Sequence, residues 1–268
     1  MPELCEVQIM TENIGEWSVG KTLKNLDLVD KKLSGKIENP ALANGQTVQK
    51  AWRRAKYTVL TLDTHSLVLH YRMTGKVVLE DEGRRFIRLR LIFEDDTRIV
   101  FSDPRRFGEA ELIKNEALTS YFQAKNLGDE PWEEGASARS GSWWQSRLGV
   151  LNNPIKPAML RQDKVVGLGN ILAAEICFRA KLDPAMKAST VSLEQWERVA
   201  ISAQSCIEEI LHEERSEEIG YVNQGNELPS SFKVYGRNGD PCSACGTKIE
   251  SFTQQSRTTY WCPSCQAG

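Results

Sequence analysis

The stretch Phe86-Ile87-Arg88-Leu89-Arg90-Leu91-Ile92-Phe93 alternates apolar and charged side chains. Successive residues of a strand point to opposite sides, so Ile87, Leu89, Leu91 and Phe93 share one face and Arg88 and Arg90 the other. The pattern predicts a strand with one face on a core and one face wet and basic, closed by the acidic turn Glu94-Asp95-Asp96. Around it, Thr22–Asp30, Tyr57–Asp63, Ser66–His70, Lys76–Glu80 and Thr97–Phe101 are short runs bounded by turn residues or charge. Together they predict an antiparallel sandwich or barrel, preceded by a helix over roughly residues 3–16.

The character of the chain changes near residue 128. Residues 128–141 are rich in Gly, Ser, Ala and Glu and read as a linker, with Trp143-Trp144 packing the boundary beyond it. Pro154–Ala180 and Ser192–Leu211 carry helical periodicity. Ser192-Leu193-Glu194-Gln195 has the form of a capping box, Ser192 at N-cap and Gln195 at N3. Residues 214–232 read as a second flexible segment, a candidate for ordering on a ligand, and a cysteine module follows.

Hydrophobic residues make up 40% of the 268 and charged residues 26%, which is ordinary globular material for one large domain or more. No apolar run reaches membrane-spanning length, and the acidic start does not resemble a secretory signal. The net charge of −2 excludes a nonspecific polyanion binder, so any nucleic-acid surface must be local. Seven cysteines, four in the tail and three scattered, do not form a disulfide framework. They predict a reducing cytoplasm, one metal site, and free thiols at Cys5, Cys177 and Cys206.

The metal site is Cys242-x2-Cys245-x16-Cys262-x2-Cys265. Each pair aims two thiolates at one point, and the intervening residues fit a β-hairpin that joins the pairs. Four thiolates close the coordination sphere, so one structural zinc is expected. The hairpin tip, Gln254-Gln255-Ser256-Arg257-Thr258-Thr259, offers a guanidinium and hydroxyls suited to phosphate.

Other segments carry chemistry more weakly. In Pro2-Glu3-Leu4-Cys5-Glu6, removal of Met1 leaves Pro2 as a chain-terminal secondary amine beside a carboxylate. Such an amine titrates near about 8 and can attack a carbon bearing a leaving group. Asp103-Pro104-Arg105-Arg106-Phe107-Gly108 holds two guanidiniums and a ring that can read a base edge or wedge between bases. Gly167-Leu168-Gly169-Asn170 opens a helix whose free N–H groups suit a phosphate. Arg53-Arg54-Ala55-Lys56-Tyr57 is a basic run leading into a strand, which in isolation is a solvated face. His70 ends a strand, and Met73 in Tyr71-Arg72-Met73-Thr74-Gly75 reads by itself as core.

In order along nearly the whole chain, these segments resemble the formamidopyrimidine-DNA glycosylase (Fpg/Nei) family. The matching pieces are Pro2-Glu3-Leu4-x-Glu6-Val7, Arg53–Tyr57, His70-x-x-Met73-x-Gly75, Asp103–Gly108, Val166-Gly167-x-Gly169-Asn170-Ile171, Val234-Tyr235-Gly236-Arg237 and the four-cysteine finger with Arg257. The resemblance implies an α+β multidomain fold, with DNA in a cleft between the lobes. Its parts are an N-terminal helix-flanked antiparallel β-sandwich over 1–127, a helical domain with a helix-two-turn-helix over 128–232, and a zinc β-hairpin over 233–268. The loop near 214–232 would cap the lesion.

By the same resemblance, Pro2 is the nucleophile, Glu3 the acid/base at the sugar, and Glu6 a support of the site. Lys56, His70, Asn170 and Arg257 form a phosphate clamp, Lys56 and Arg257 belonging also to the catalytic set. Met73, Arg105 and Phe107 fill the hole left by the everted nucleotide, and Arg106 adds a DNA contact. The implied activity is a glycosylase and AP lyase on double-stranded DNA with an oxidised purine or abasic site. The implied protein is a zinc-bearing monomer in the cytoplasm with chromosomal DNA, without a membrane partner. The chain departs from the family pattern at Cys5, where Pro is usual, and at Gln8, where Glu is usual; Ile219–Phe232 looks short. An oxidised-pyrimidine preference, a catalytically silent DNA-damage-binding relative and an unrelated zinc-ribbon protein are the competing readings.

Overall fold

The structure, a computed structural model, describes residues 2–33, 37–216 and 228–267. Of the capping-loop segment, residues 217–227 lie outside the described residues. The chain divides into two compact units, Met1–Lys125 with Arg215–Gln224, and Asn126–Glu214 with Gly225–Gly268.

The first unit opens with α1 (Leu4–Ser18) and continues as strands β1 (Leu23–Asp27), β2 (Lys50–Arg54), β3 (Tyr57–Thr61), β4 (His65–His70), β5 (Lys76–Leu79), β6 (Ile87–Phe93), β7 (Arg98–Ser102) and β8 (Glu109–Lys114), with α2 (Leu118–Ala124) after them. The strands form two antiparallel sheets, ordered β1-β6-β7-β5 and β2-β3-β4-β8. Helix α1 packs on β2 and β3 of one sheet and β5 of the other. Its Leu4, Val7 and Ile14 are fully buried. Buried hydroxyls also fasten it: Thr11 Oγ1 lies 2.6 Å from Thr58 Oγ1, which accepts from the Tyr71 hydroxyl at 2.8 Å. Each such bond contributes about 1 kcal/mol net.

Strands β2 and β8 escape the sequence reading because Lys50-Ala-Trp-Arg-Arg and Glu109-Ala-Glu-Leu-Ile-Lys carry charge among their apolar residues. Both are edge strands, where charge is tolerated and guards the open edge.

The expected wet basic face of β6 is corrected. The register shifts between Ile87 and Leu89, so Arg88 sits in a bulge. It is buried, donates to the Asp103 carbonyl at 2.7 Å, and pairs with Asp30 at 3.2 Å. Arg90 pairs with both Asp27 and Glu80. This face is an ion-pair network, not a free cationic surface.

The second unit contains α3 (Gly141–Leu148), α4 (Ile155–Met159), α5 (Asn170–Arg179), α6 (Leu193–Glu214) and the hairpin β9 (Glu250–Gln254) and β10 (Arg257–Trp261). The capping box of α6 forms in both directions: Gln195 N donates to Ser192 Oγ, and Ser192 N donates to Gln195 Oε1. The expected linker is corrected. Gly128 N and Asp129 N donate to the Gln162 and Lys164 carbonyls, so this stretch is tied to the unit. Trp143 and Trp144 lie inside α3, with Trp144 fully buried among the helices. The part of the expected flexible segment after residue 227 is also held: Glu213 accepts from Ser230 N and Ser231 N, and Phe232 is buried.

Helices α4 and α5 are joined by two turns ending at Gly169, the N-cap of α5. The cysteine module packs on α5 through Ala174, Phe178, Val234 and Ile249, with Cys242 and Cys262 in the same cluster. Glu175, fully buried on α5, accepts three consecutive backbone amides, from Lys233, Val234 and Tyr235, at 2.8–3.0 Å. Burial pushes its pKa up while the amides pull it down, and the balance is upward. The chain is α+β: an N-terminal pair of antiparallel sheets flanked by helix, a helical helix-two-turn-helix segment, and a C-terminal cysteine hairpin.

Candidate active site

In the first unit, Pro2 is buried and immediately precedes Glu3, the N-cap of α1. Glu6 stands at N3 of the same helix. Glu3 N donates to Glu6 Oε2 at 2.8 Å, and the Glu3 side chain accepts from Glu6 N, so two carboxylates cap the helix reciprocally. Both are buried, so their positions are fixed by the helix start and its packing. An amine at position 2 would sit at the positive end of the helix dipole and out of water.

Lys56 is buried in the two-residue turn that joins β2 to β3. His70 pairs with Tyr57 in register across β3 and β4, and the two rings meet edge-on at 4.6 Å. Burial drives the His70 pKa down to about 3, helped by the charges of Arg72, Lys56 and Lys125. The ring is therefore neutral near pH 7. Its Nδ1 accepts from Arg72 N at 3.2 Å, which puts the ring proton on Nε2 as a donor.

Met73 and Phe107, 41% and 48% exposed, are large apolar groups held in water, so the core reading of Met73 is overturned. Arg105 stacks on the Phe107 ring with its guanidinium carbon 4.7 Å from the centroid. One buried carboxylate joins the two loops: Asp103 accepts from Thr74 Oγ1, from Arg105 N at 3.2 Å, and from Gly108 N at 2.7 Å. Glycine is required where these loops close on Phe101. A Cβ at Gly75 or Gly108 would approach its ring to 2.8 Å or 2.3 Å. Arg106, in the left-handed region at φ 59°, pairs with Asp30 at 3.1 Å.

In the second unit, Asn170 is the first residue of α5. Its Nδ2 donates to the Thr258 carbonyl at 2.9 Å, and its Oδ1 accepts from Lys156 Nζ at 2.6 Å. Lys156 is buried and also donates to Thr259 Oγ1 at 2.9 Å. Sequence reading missed this lysine; its signal was a lone cation inside the apolar run Pro154-Ile155-Lys156-Pro157-Ala158-Met159. Arg257 is exposed where the hairpin turns through Gln255 and Ser256, both at positive φ.

The four module cysteines converge, with all Sγ atoms within 4.8 Å of one another and pair distances of 3.9 Å (Cys242–Cys265) and 3.5 Å (Cys245–Cys262). A tetrahedron with metal–sulfur bonds of about 2.3 Å has edges of about 3.8 Å. The quartet fits one structural zinc. Cys5, Cys177 and Cys206 are buried, and burial pushes the Cys177 thiol up to about 12. No helix among the described residues is long and apolar enough to cross a membrane.

A helix N-terminus capped by two buried carboxylates, a helix-two-turn-helix segment and a four-cysteine hairpin have counterparts, in this order along the chain, in DNA glycosylases of the helix-two-turn-helix class. Three family models match in order: the formamidopyrimidine-DNA glycosylase N-terminal domain over residues 1–110, its H2TH domain over 127–219, and the zinc finger found in FPG and IleRS over 239–268. Formamidopyrimidine-DNA glycosylases of Bacillus cereus and Bordetella pertussis are 30% and 33% identical to this chain, over 99% of both sequences in each case. The Lactococcus lactis Fpg in complex with FAPY-dG-containing DNA superposes with a TM-score of 0.87 at 26% identity, covering 99% of this chain and 100% of that one. The same enzyme with abasic-site DNA gives 0.85 at 25% identity, covering 99% and 100%. The chain belongs to the formamidopyrimidine-DNA glycosylase family, the DNA glycosylases of base-excision repair.

Proposed function

We propose that this protein is a bifunctional glycosylase and AP lyase that removes oxidised purines, 8-oxoguanine and formamidopyrimidines, from double-stranded DNA. The observation that carries the reading is Pro2 buried against the doubly capped start of α1, next to Glu3 and Glu6. After loss of Met1, the Pro2 nitrogen attacks C1′ of the damaged nucleotide. The glycosidic bond breaks and the base leaves with its electron pair. Glu3 delivers a proton to the sugar ring oxygen as the ring opens, leaving an iminium between Pro2 and C1′. The iminium acidifies C2′. Loss of that proton expels the 3′ phosphate, and a second elimination expels the 5′ phosphate. Water then hydrolyses the iminium and frees Pro2.

The contacts divide by chemistry. Lys56, the Nε2 proton of His70, Asn170 and Arg257 hold phosphates. Met73 and Phe107 fill the vacated stack, and Arg105 donates to the acceptors of the orphaned cytosine. Arg106 takes part through the same loop. We assign residues 1–127 to the catalytic domain, 128–232 to the helical domain and 233–268 to the zinc-finger domain. The protein is proposed to act as a monomer, in the cytoplasm, on chromosomal DNA. The complexes of the Lactococcus lactis enzyme with FAPY-dG and abasic DNA support the substrate class. A further complex of that enzyme with an oxidised pyrimidine favours a second, broader substrate reading.

Borohydride trapping on a duplex with one 8-oxoguanine opposite cytosine tests the proposal. The Met1-processed protein is expected to give a covalent band that disappears in Pro2→Gly with a blocked terminus. Thymine glycol cut as fast as 8-oxoguanine would move the substrate to pyrimidines. Absence of a band on every lesion and on abasic DNA would leave a silent DNA-binding relative.

A further inference from the structure

The turn that carries Lys56 is strained, and a specific side chain holds it. Residues 55 and 56 form the two-residue connection between β2 and β3, with Ala55 at φ 53°. A positive φ at the first position of such a turn is the ordinary place of glycine. Ala55 is buried there, so the surroundings must supply what the backbone lacks. Arg53 does so: its guanidinium donates to the Ala55 carbonyl at 2.9 Å and, through Nε, to Gln8 Oε1 at 2.9 Å. Gln8 Nε2 in turn donates to Glu12 Oε1 at 2.9 Å, and Arg215 grips both Glu12 oxygens at 2.9 and 3.0 Å.

The order of these groups dictates the residue at position 8. Arg53 can only donate and Glu12 can only accept. The side chain between them must accept on one side and donate on the other, and it must reach both. A glutamine amide meets all three demands. We propose that Gln8 is a positioning residue for Lys56, acting through Arg53 and the Ala55 carbonyl, so that the start of α1 and the Lys56 ammonium are presented together. The inference rests on the reading of Lys56 as a phosphate contact.

Full-length, Met1-processed protein is titrated onto a duplex bearing a tetrahydrofuran abasic analogue at several salt concentrations. Single-turnover cutting of 8-oxoguanine:cytosine DNA is measured beside it. Each phosphate contact contributes about 0.9 to the slope of log affinity against log salt. Lys56→Ala is expected to lower the slope by about one and the cutting rate on the order of 10–100-fold. Gln8→Ala is expected to do the same, and the double variant to add little to either single change. Gln8→Glu still accepts from Arg53 but loses its donation to Glu12 and sets two carboxylates side by side, so its slope is expected to fall between those of Gln8→Ala and the unchanged protein. A Gln8→Ala protein with lowered stability but an unchanged slope, or effects that add to those of Lys56→Ala, would overturn the inference while sparing the role of Lys56. A Lys56→Ala protein with unchanged slope and rate would overturn both.

Discussion

The start of α1 and the tip of the zinc hairpin are held by opposite means. Pro2, Glu3 and Glu6 are fixed by buried hydrogen bonds and apolar packing, each contribution small and replaceable. Arg257 is carried on a two-stranded hairpin whose interior includes two of the metal-binding cysteines themselves. The first arrangement degrades gradually as contacts are lost. The second leans on one ion, because the hairpin's two short strands bury little apolar surface of their own and its interior is shared with the metal-binding cysteines. On the proposed reading, the chemistry stands on the graded scaffold and the phosphate contact of Arg257 on the metal-dependent one.

Zinc removal should break this contrast most visibly. Chelation is expected to abolish the structure of residues 239–267, since structural zinc supplies about 10–16 kcal/mol of apparent binding energy in such modules. The sheets of the first unit should survive, as read by amide exchange. A module that keeps its protection after chelation would remove the distinction.

A smaller effect is expected at Lys156. Lys156→Met leaves Asn170 Oδ1 and Thr259 Oγ1 without their donor, and should cost about 2–4 kcal/mol in denaturant unfolding of the second unit. A cost under about 0.5 kcal/mol would mean that the buried ammonium contributes no net stability.

A change in pH dependence is expected at His70. Folded, His70 stays neutral down to about pH 3; unfolded, it takes up a proton near 6.5. Between those values the unfolded chain binds more protons, so stability rises with pH by up to about 1.4 kcal/mol per unit. That contribution is complete above pH 6.5 and is lost as the pH falls toward 3. His70→Gln should flatten the slope in this window; an unchanged slope would mean that His70 is charged in the folded protein.

Much of this was legible in sequence wherever a local rule decides the outcome. The paired CxxC spacing, the Ser192/Gln195 capping box and the alternation of Leu89, Leu91 and Phe93 each specify their geometry without distant partners. The reading failed where a distant partner decides. Arg88 is buried because a bulge turns it toward Asp30, which is far away in sequence. Lys156 matters because Thr259 and Asn170 converge on it. Gln8 was visible only as a departure from the family pattern, and Arg53 and Glu12 give that departure its meaning.

The most direct test of the account maps the covalent bond. Protein trapped with borohydride on 8-oxoguanine:cytosine DNA is digested with trypsin and the modified residue is located by mass spectrometry. The account predicts the sugar remnant on the terminal nitrogen of the peptide Pro2–Lys21. A remnant on Lys56 or Lys156, with Pro2 unmodified, would contradict it.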